Sequence, residues 1–126
     1  MSVIISGTGV YTPPSKISNK ELVESYNAYA DLYNLKNKEE IIKGSLEKLT
    51  HSSEEFIEKV SGIQSRYVLD KKGILDPNRM RPFLKERSNE ETSIQAEIAV
   101  IACKEAIEQS NKKIEDIDAV ICACAN

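Results

Sequence analysis

With 126 residues, 40% of them apolar and 29% charged, the chain is long enough to bury one core and too ordinary in composition to be disordered. Its 17 basic residues are outnumbered by 20 acidic ones and it has no Trp and only two Phe, which argues against a nucleic-acid partner, since that needs surplus Lys and Arg and aromatic platforms. The longest apolar stretch, Ala119 to Ala125, is too short to span a bilayer, no basic signal-peptide start precedes it, and three cysteines do not pair evenly, so the expectation is a cytoplasmic chain with reduced thiols and no membrane partner.

In chain order, Val3-Ile4-Ile5 opens a β-branched run that continues through Gly7, Gly9, Val10 and Tyr11 to Pro13-Pro14, the pattern of a buried strand. Its two glycines either let another backbone approach closely or mark a bulge. Ser18 stands three residues before Glu21, a capping-box spacing, and Leu22, Tyr26, Tyr29 and Tyr33 follow at helical intervals. A second helix is expected over about Lys38 to Leu49, weakened by Gly44. Residues from about 27 to 50 then form a helical insertion. A cap at Ser52-Ser53 starts a short amphipathic helix with Phe56, Ile57 and Val60, which Gly62 ends. Arg66 to Leu69 alternates as a short strand. Lys71 to Glu91, charged and proline-containing, is a loop with one helical turn, giving a basic loop at about 70–90.

Thr92-Ser93-Ile94-Gln95 has capping spacing again, and Ala96, Ala99, Val100, Cys103, Ala106 and Ile107 fall on one helical face of small residues as far as Ser110. Ile117 to Ala125 is apolar without alternation, as in a strand covered on both faces. The order β–α–(α)–α–β–α–β with parallel strands makes the fold class α/β, as one incomplete domain over residues 1–126.

Cys122 and Cys124 are the first chemical candidates. Two thiols at i and i+2 project from one face of a strand, but a structural zinc site takes four ligands and no convergent set is visible, so no metal is expected and the reading is of buried structural thiols. His51, the single histidine, has no partner at a recognisable spacing and reads as an exposed residue before a helix cap. Gly7-Thr8-Gly9 lacks the remainder of a dinucleotide fingerprint. Arg79 to Arg87 carries four positive charges and one negative: a solvated loop, or a surface that steers an acidic partner or a phosphate.

Taken together, "IISGTGVYTPP" (Ile4 to Pro14), "SNKELVESY" (Ser18 to Tyr26), "SSEEFIEKVSGIQSRYV" (Ser52 to Val68) and Glu91 to Asn126 resemble, in order and spacing, the β-ketoacyl-acyl-carrier-protein synthase III family. The resemblance implies a partial thiolase-like fold, the N-terminal part of the first of two halves, each a five-stranded sheet between helices. It implies an acyltransferase of fatty acid biosynthesis that joins an acyl-CoA to malonyl-acyl-carrier-protein by decarboxylating Claisen condensation. Its partners would be acyl-CoA, acyl carrier protein and, for the complete enzyme, a second copy in a homodimer. The CoA thioester is a substrate, and no cofactor is implied.

Residue by residue, Phe56 matches the family's tryptophan that stacks on the CoA adenine, and Ser61 its threonine beside the pantetheine tunnel. These two are the expected substrate-binding residues. Val60 stands where an arginine often contacts CoA, removing a phosphate-pairing charge. No catalytic residue is expected within the chain: the nucleophilic Cys and the His/Asn pair of the family fall beyond Asn126, so Cys122 and Cys124 do not inherit that role. The chain alone is therefore expected to be inactive. The alternative expectation is a non-catalytic structural or binding half of a split or degenerate condensing enzyme.

Overall fold

Ser18 sets the start of the longest helix, as its spacing from Glu21 predicts. The Glu21 N–H donates to Ser18 Oγ at 3.2 Å and the Glu21 carboxylate accepts the Ser18 N–H at 3.0 Å, closing the capping box. The computed structural model describes residues 3–124. It divides into two units, one of Pro13–Lys85 and one joining Met1–Thr12 to Glu86–Asn126.

In the Pro13–Lys85 unit, β1 (Ser15–Ser18) runs antiparallel to β2 (Ser65–Val68), with Ser15 opposite Val68 and Ser18 opposite Ser65. Ser18 thus ends β1 and caps α1 (Asn19–Lys36) at once. Ile17 on β1 and Ala30 on α1 are fully buried and mark the core. Ser25, also buried, donates its hydroxyl to Leu75 O at 2.9 Å and ties α4 (Lys71–Leu75) to α1. Asp70 caps α4 by accepting from the Lys72 and Gly73 N–H groups. The helix expected over Lys38 to Leu49 is shorter: α2 covers Lys38–Ile42, and the chain leaves it through Gly44 at φ 75°, a left-handed conformation that breaks the helix. α3 (Glu54–Ser61) has its expected cap, with Phe56 N–H donating to Ser53 Oγ at 3.1 Å, and its expected stop at Gly62.

In the other unit, α5 (Ile94–Ser110) is the helix the small-residue pattern predicts, capped by Ser93 through the Ala96 N–H at 3.1 Å. A short 3₁₀ turn follows at Ile114–Asp116. The segment around Gly7 and Gly9 lies directly on α5. A Cβ at Gly9 would sit 1.9 Å from Ala102 O, and one at Gly7 2.1 Å from Ala106 O. Of the two readings of these glycines, the close backbone approach is the one realised. Val10 N–H donates to the Glu105 carboxylate at 2.9 Å and fixes the register.

Both apolar strands expected from the sequence are corrected. Residues 3–11 and 117–124 belong to no ladder among the described residues; Ala125 lies outside them. Val3, Ile5 and Ile121 are at least 86% exposed rather than buried. A strand is completed by neighbours that satisfy its N–H and C=O groups, and apolar β-branched residues only supply the propensity. The sheet that forms is the two-stranded antiparallel β1–β2 pair, of which β1 was not expected. The described residues are mixed helix and strand, and do not show the parallel part of a thiolase-like sheet.

Candidate functional site

The charge pattern of α3, with Glu54 and Glu55 in its first turn and Lys59 in its last, suits the helix dipole, and leaves the apolar residues to define a face. Phe56 and Val60, one turn apart, point outward at 59% and 68% exposure, with Ile63 beyond the helix end at 44%. An exposed aromatic ring on a short rigid helix can stack a planar group. Val60 leaves this face without a cation where the resemblance implies an arginine.

Ser61 lies five residues beyond Phe56, about 140° further round the helix. Its hydroxyl donates to Ile57 O at 2.7 Å and accepts the Ile63 N–H at 3.1 Å. Phe56 and Ser61 therefore sit on one helix but not on one face, and the Ser61 proton is already spent on the helix end. That end is held from the neighbouring α1. Asn19, 4% exposed, donates its backbone N–H to Gln64 O at 3.1 Å and its Nδ2 to Ile63 O at 2.6 Å, while Arg66 Nη2 donates to its Oδ1 at 3.0 Å. Sequence reading missed this pair. The only available signal was an asparagine following the Ser18 cap, and at that position helix propensity says nothing about a tertiary role.

The basic segment is largely occupied by its own structure. The Arg79 guanidinium lies 4.0 Å from the Phe83 ring centre and donates to Arg81 O at 3.0 Å and Pro82 O at 3.1 Å. The Phe83 N–H in turn donates to Asp70, and this bond, ahead of those from Gly73 and Lys72, holds the Asp70 carboxyl below its ordinary range. Arg87 also donates to Thr92 O, and its pairing with Glu97 at 2.8 Å raises the arginine and lowers the glutamate from their usual values. Arg81 is exposed.

The thiols and the histidine do not assemble. Cys122 and Cys124 are exposed, not buried as expected, and Cys103 is half-covered on α5. Among the described residues no cluster of His, Cys, Asp and Glu could hold a metal. His51 is exposed, as expected, but has a partner that spacing did not reveal: its Nε2 lies 2.7 Å from Asp31 Oδ1 on α1. No helix among the described residues is long and apolar enough to cross a membrane.

No family model matches the chain. Against curated proteins, 104 residues, 82% of this chain, are 53% identical to the "Beta-ketodecanoyl-[acyl-carrier-protein] synthase" of Pseudomonas aeruginosa, and the match spans 30% of that relative's length. Identity at this level over so many residues is carried by the whole matched sequence and by no single motif. Over those 104 residues the chain is similar to a β-ketoacyl-acyl-carrier-protein synthase, in line with the family its sequence resembles.

Proposed function

We propose that this chain is the N-terminal, acyl-CoA-facing portion of a condensing enzyme of fatty acid biosynthesis. The 53% identity to a β-ketoacyl-acyl-carrier-protein synthase carries the reading. In that reaction an acyl-CoA transfers its acyl group to a cysteine thiolate and releases CoA; malonyl-acyl-carrier-protein then loses CO2, and the resulting carbanion attacks the thioester, forming the β-ketoacyl product and freeing the cysteine. The Phe56 ring is the stacking surface for the CoA adenine. Ser61 contributes an acceptor oxygen beside the pantetheine, since its proton is committed to Ile57 O. No residue of this chain is assigned the nucleophile or the oxyanion donors, so condensation by the chain alone is not expected. CoA thioesters and acyl carrier protein are the partners, in a cytoplasmic homodimer of thiolase-like fold, with no cofactor.

A chimera tests this. The matched residues would replace their counterpart in the Pseudomonas relative, with octanoyl-CoA as donor because condensation adds two carbons to reach the ten-carbon product of that relative's name. The chimera is expected to form β-ketodecanoyl-acyl-carrier-protein, read by mass spectrometry, and the 126-residue chain alone to release no CO2 from malonyl-acyl-carrier-protein. A folded chimera without product would overturn the proposal, and CO2 release by the chain alone would overturn the assignment of catalysis elsewhere.

A further inference from the structure

We infer that Asn19 and Arg66 are positioning residues that clamp the turn at the end of α3 in the geometry that meets a CoA thioester, an inference resting on the reading of α3 just given. A buried amide is costly unless its donors and acceptor are satisfied. Asn19 spends its backbone N–H and its Nδ2 on the two successive carbonyls of Gln64 and Ile63. Its remaining acceptor takes the Arg66 guanidinium. A residue needed only to begin α1 would use none of these side-chain groups.

The anchor is stiff at both ends. Asn19 lies within the capping box of α1, between Ser18 and Glu21, and Arg66 lies on β2 opposite the buried Ile17. The charge on Arg66 polarises the Asn19 amide and strengthens its donation to Ile63 O. The bonds local to the turn tie it to α3: Gly62 N–H donates to Glu58 O at 2.7 Å, Gln64 Nε2 to the Glu58 carboxylate at 2.8 Å, and the Ser61 hydroxyl bridges Ile57 and Ile63, whereas Asn19 ties the carbonyls of Ile63 and Gln64 to α1. The clamp therefore sets where the Ile63–Gln64 turn beyond the helix stands relative to α3 and its Phe56 ring. A ligand that stacks at Phe56 and runs past the helix end as an amide-bearing chain reads that spacing directly.

The test is calorimetric titration of CoA into the 126-residue chain and its variants, with hydrogen exchange followed at the Ile63 amide and along α5. Asn19→Asp keeps the acceptor for Arg66 and loses the donor to Ile63 O; Arg66→Lys keeps the charge and loses the planar fork. The wild-type chain is expected to bind CoA and Phe56→Ala to bind it more weakly. Asn19→Asp is expected to weaken binding on the order of tenfold and to speed exchange at Ile63 while α5 is unchanged. Arg66→Lys should weaken binding in the same direction, and the double variant should be no weaker than Asn19→Asp. Should Asn19→Asp fail to fold, Arg66→Lys decides by the same readouts. CoA binding that depends on Phe56 but is indifferent to both clamp variants overturns the clamp alone. Absence of CoA binding by the wild-type chain overturns the assignment of α3, and the clamp with it.

Discussion

Asn34 and Leu49 exchange two hydrogen bonds, Asn34 Nδ2 to Leu49 O and Leu49 N–H to Asn34 Oδ1, both at 2.9 Å. The side-chain amide occupies the place that a neighbouring strand would fill. Two turns earlier on α1, Asn27 does the same for Ser52, at 3.2 and 2.8 Å, and Asp31 between them meets His51. Positions 27, 31 and 34 share one helical face, so α1 holds an extended segment that would otherwise have unpaired backbone.

Loss of one such amide leaves a part-buried N–H and C=O without partners. Asn34→Ala is expected to destabilise the chain by about 1–3 kcal/mol. Chemical denaturation would give that figure, and exchange at the Leu49 amide should accelerate well beyond that at Ser52. Equal acceleration at both would mean that the two asparagines do not act separately.

This face also shows how far the sequence could be read. Ser18–Glu21, Ser53, Gly62 and the small-residue face of α5 are local devices, each decided by residues within a turn or two of one another, and each is found where its spacing puts it. Asn27, Asn34 and Asn19 act on residues 25, 15 and 44 or more positions away, and an asparagine carries no mark of which distant carbonyl it will serve. The expected strands at Val3–Tyr11 and Ile117–Ala125 rested on composition, while a strand depends on its neighbours. Of the candidate site, the helix that carries Phe56 and Ser61 was legible from its cap and its glycine stop; the exposure of Phe56 and the Ser61 hydroxyl turning back onto Ile57 O were not, because they depend on what packs against the helix and on side-chain rotation.

The capping box carries a pH dependence. The Lys71 ammonium, 2.5 Å from Glu21 and ahead of the Ser18 N–H and hydroxyl, lowers the Glu21 carboxyl from 4.5 to about 2. A folded value below the unfolded one means folding favours the ionised form; the contribution is complete above about 4.5 and is lost as pH falls toward about 2. Lys71→Met should move the Glu21 titration up toward 4.5 and bring the acid fraying of the α1 start to higher pH, read by NMR of the carboxyl carbon and by far-ultraviolet circular dichroism. An unmoved midpoint would show that Ser18 alone sets it.

Arg79 and Arg81 should separate. Arg79 fastens its loop through Phe83 and two carbonyls, whereas the Arg81 side chain is exposed. Arg79→Ala is expected to speed hydrogen exchange at the Phe83 amide, which donates to Asp70, and Arg81→Ala to leave it unchanged. If acyl carrier protein docks on this loop through free charge, Arg81→Ala is the variant that weakens it in the chimera. A loss confined to Arg79→Ala would reflect loop shape.

The contact of Gly9 with α5 allows the sharpest steric test. Any Cβ there would stand 1.9 Å from Ala102 O and 2.8 Å from Ala106 N, both helix backbone, so no rotamer change can relieve the clash. Gly9→Ala must lift the segment off the helix or shift the helix, at a cost of about 1–3 kcal/mol for an overpacked contact. The Val10 N–H would lose its bond to Glu105 and exchange rapidly. Glu105→Gln, which keeps an acceptor at that place, should leave the segment seated. Shortening the facing residue does not help, because the obstruction is the carbonyl of Ala102 rather than its methyl; Ala102→Gly is therefore expected not to rescue Gly9→Ala. Rescue by that second substitution, read as recovered protection at Val10, would mean that the close approach is made by side chains after all.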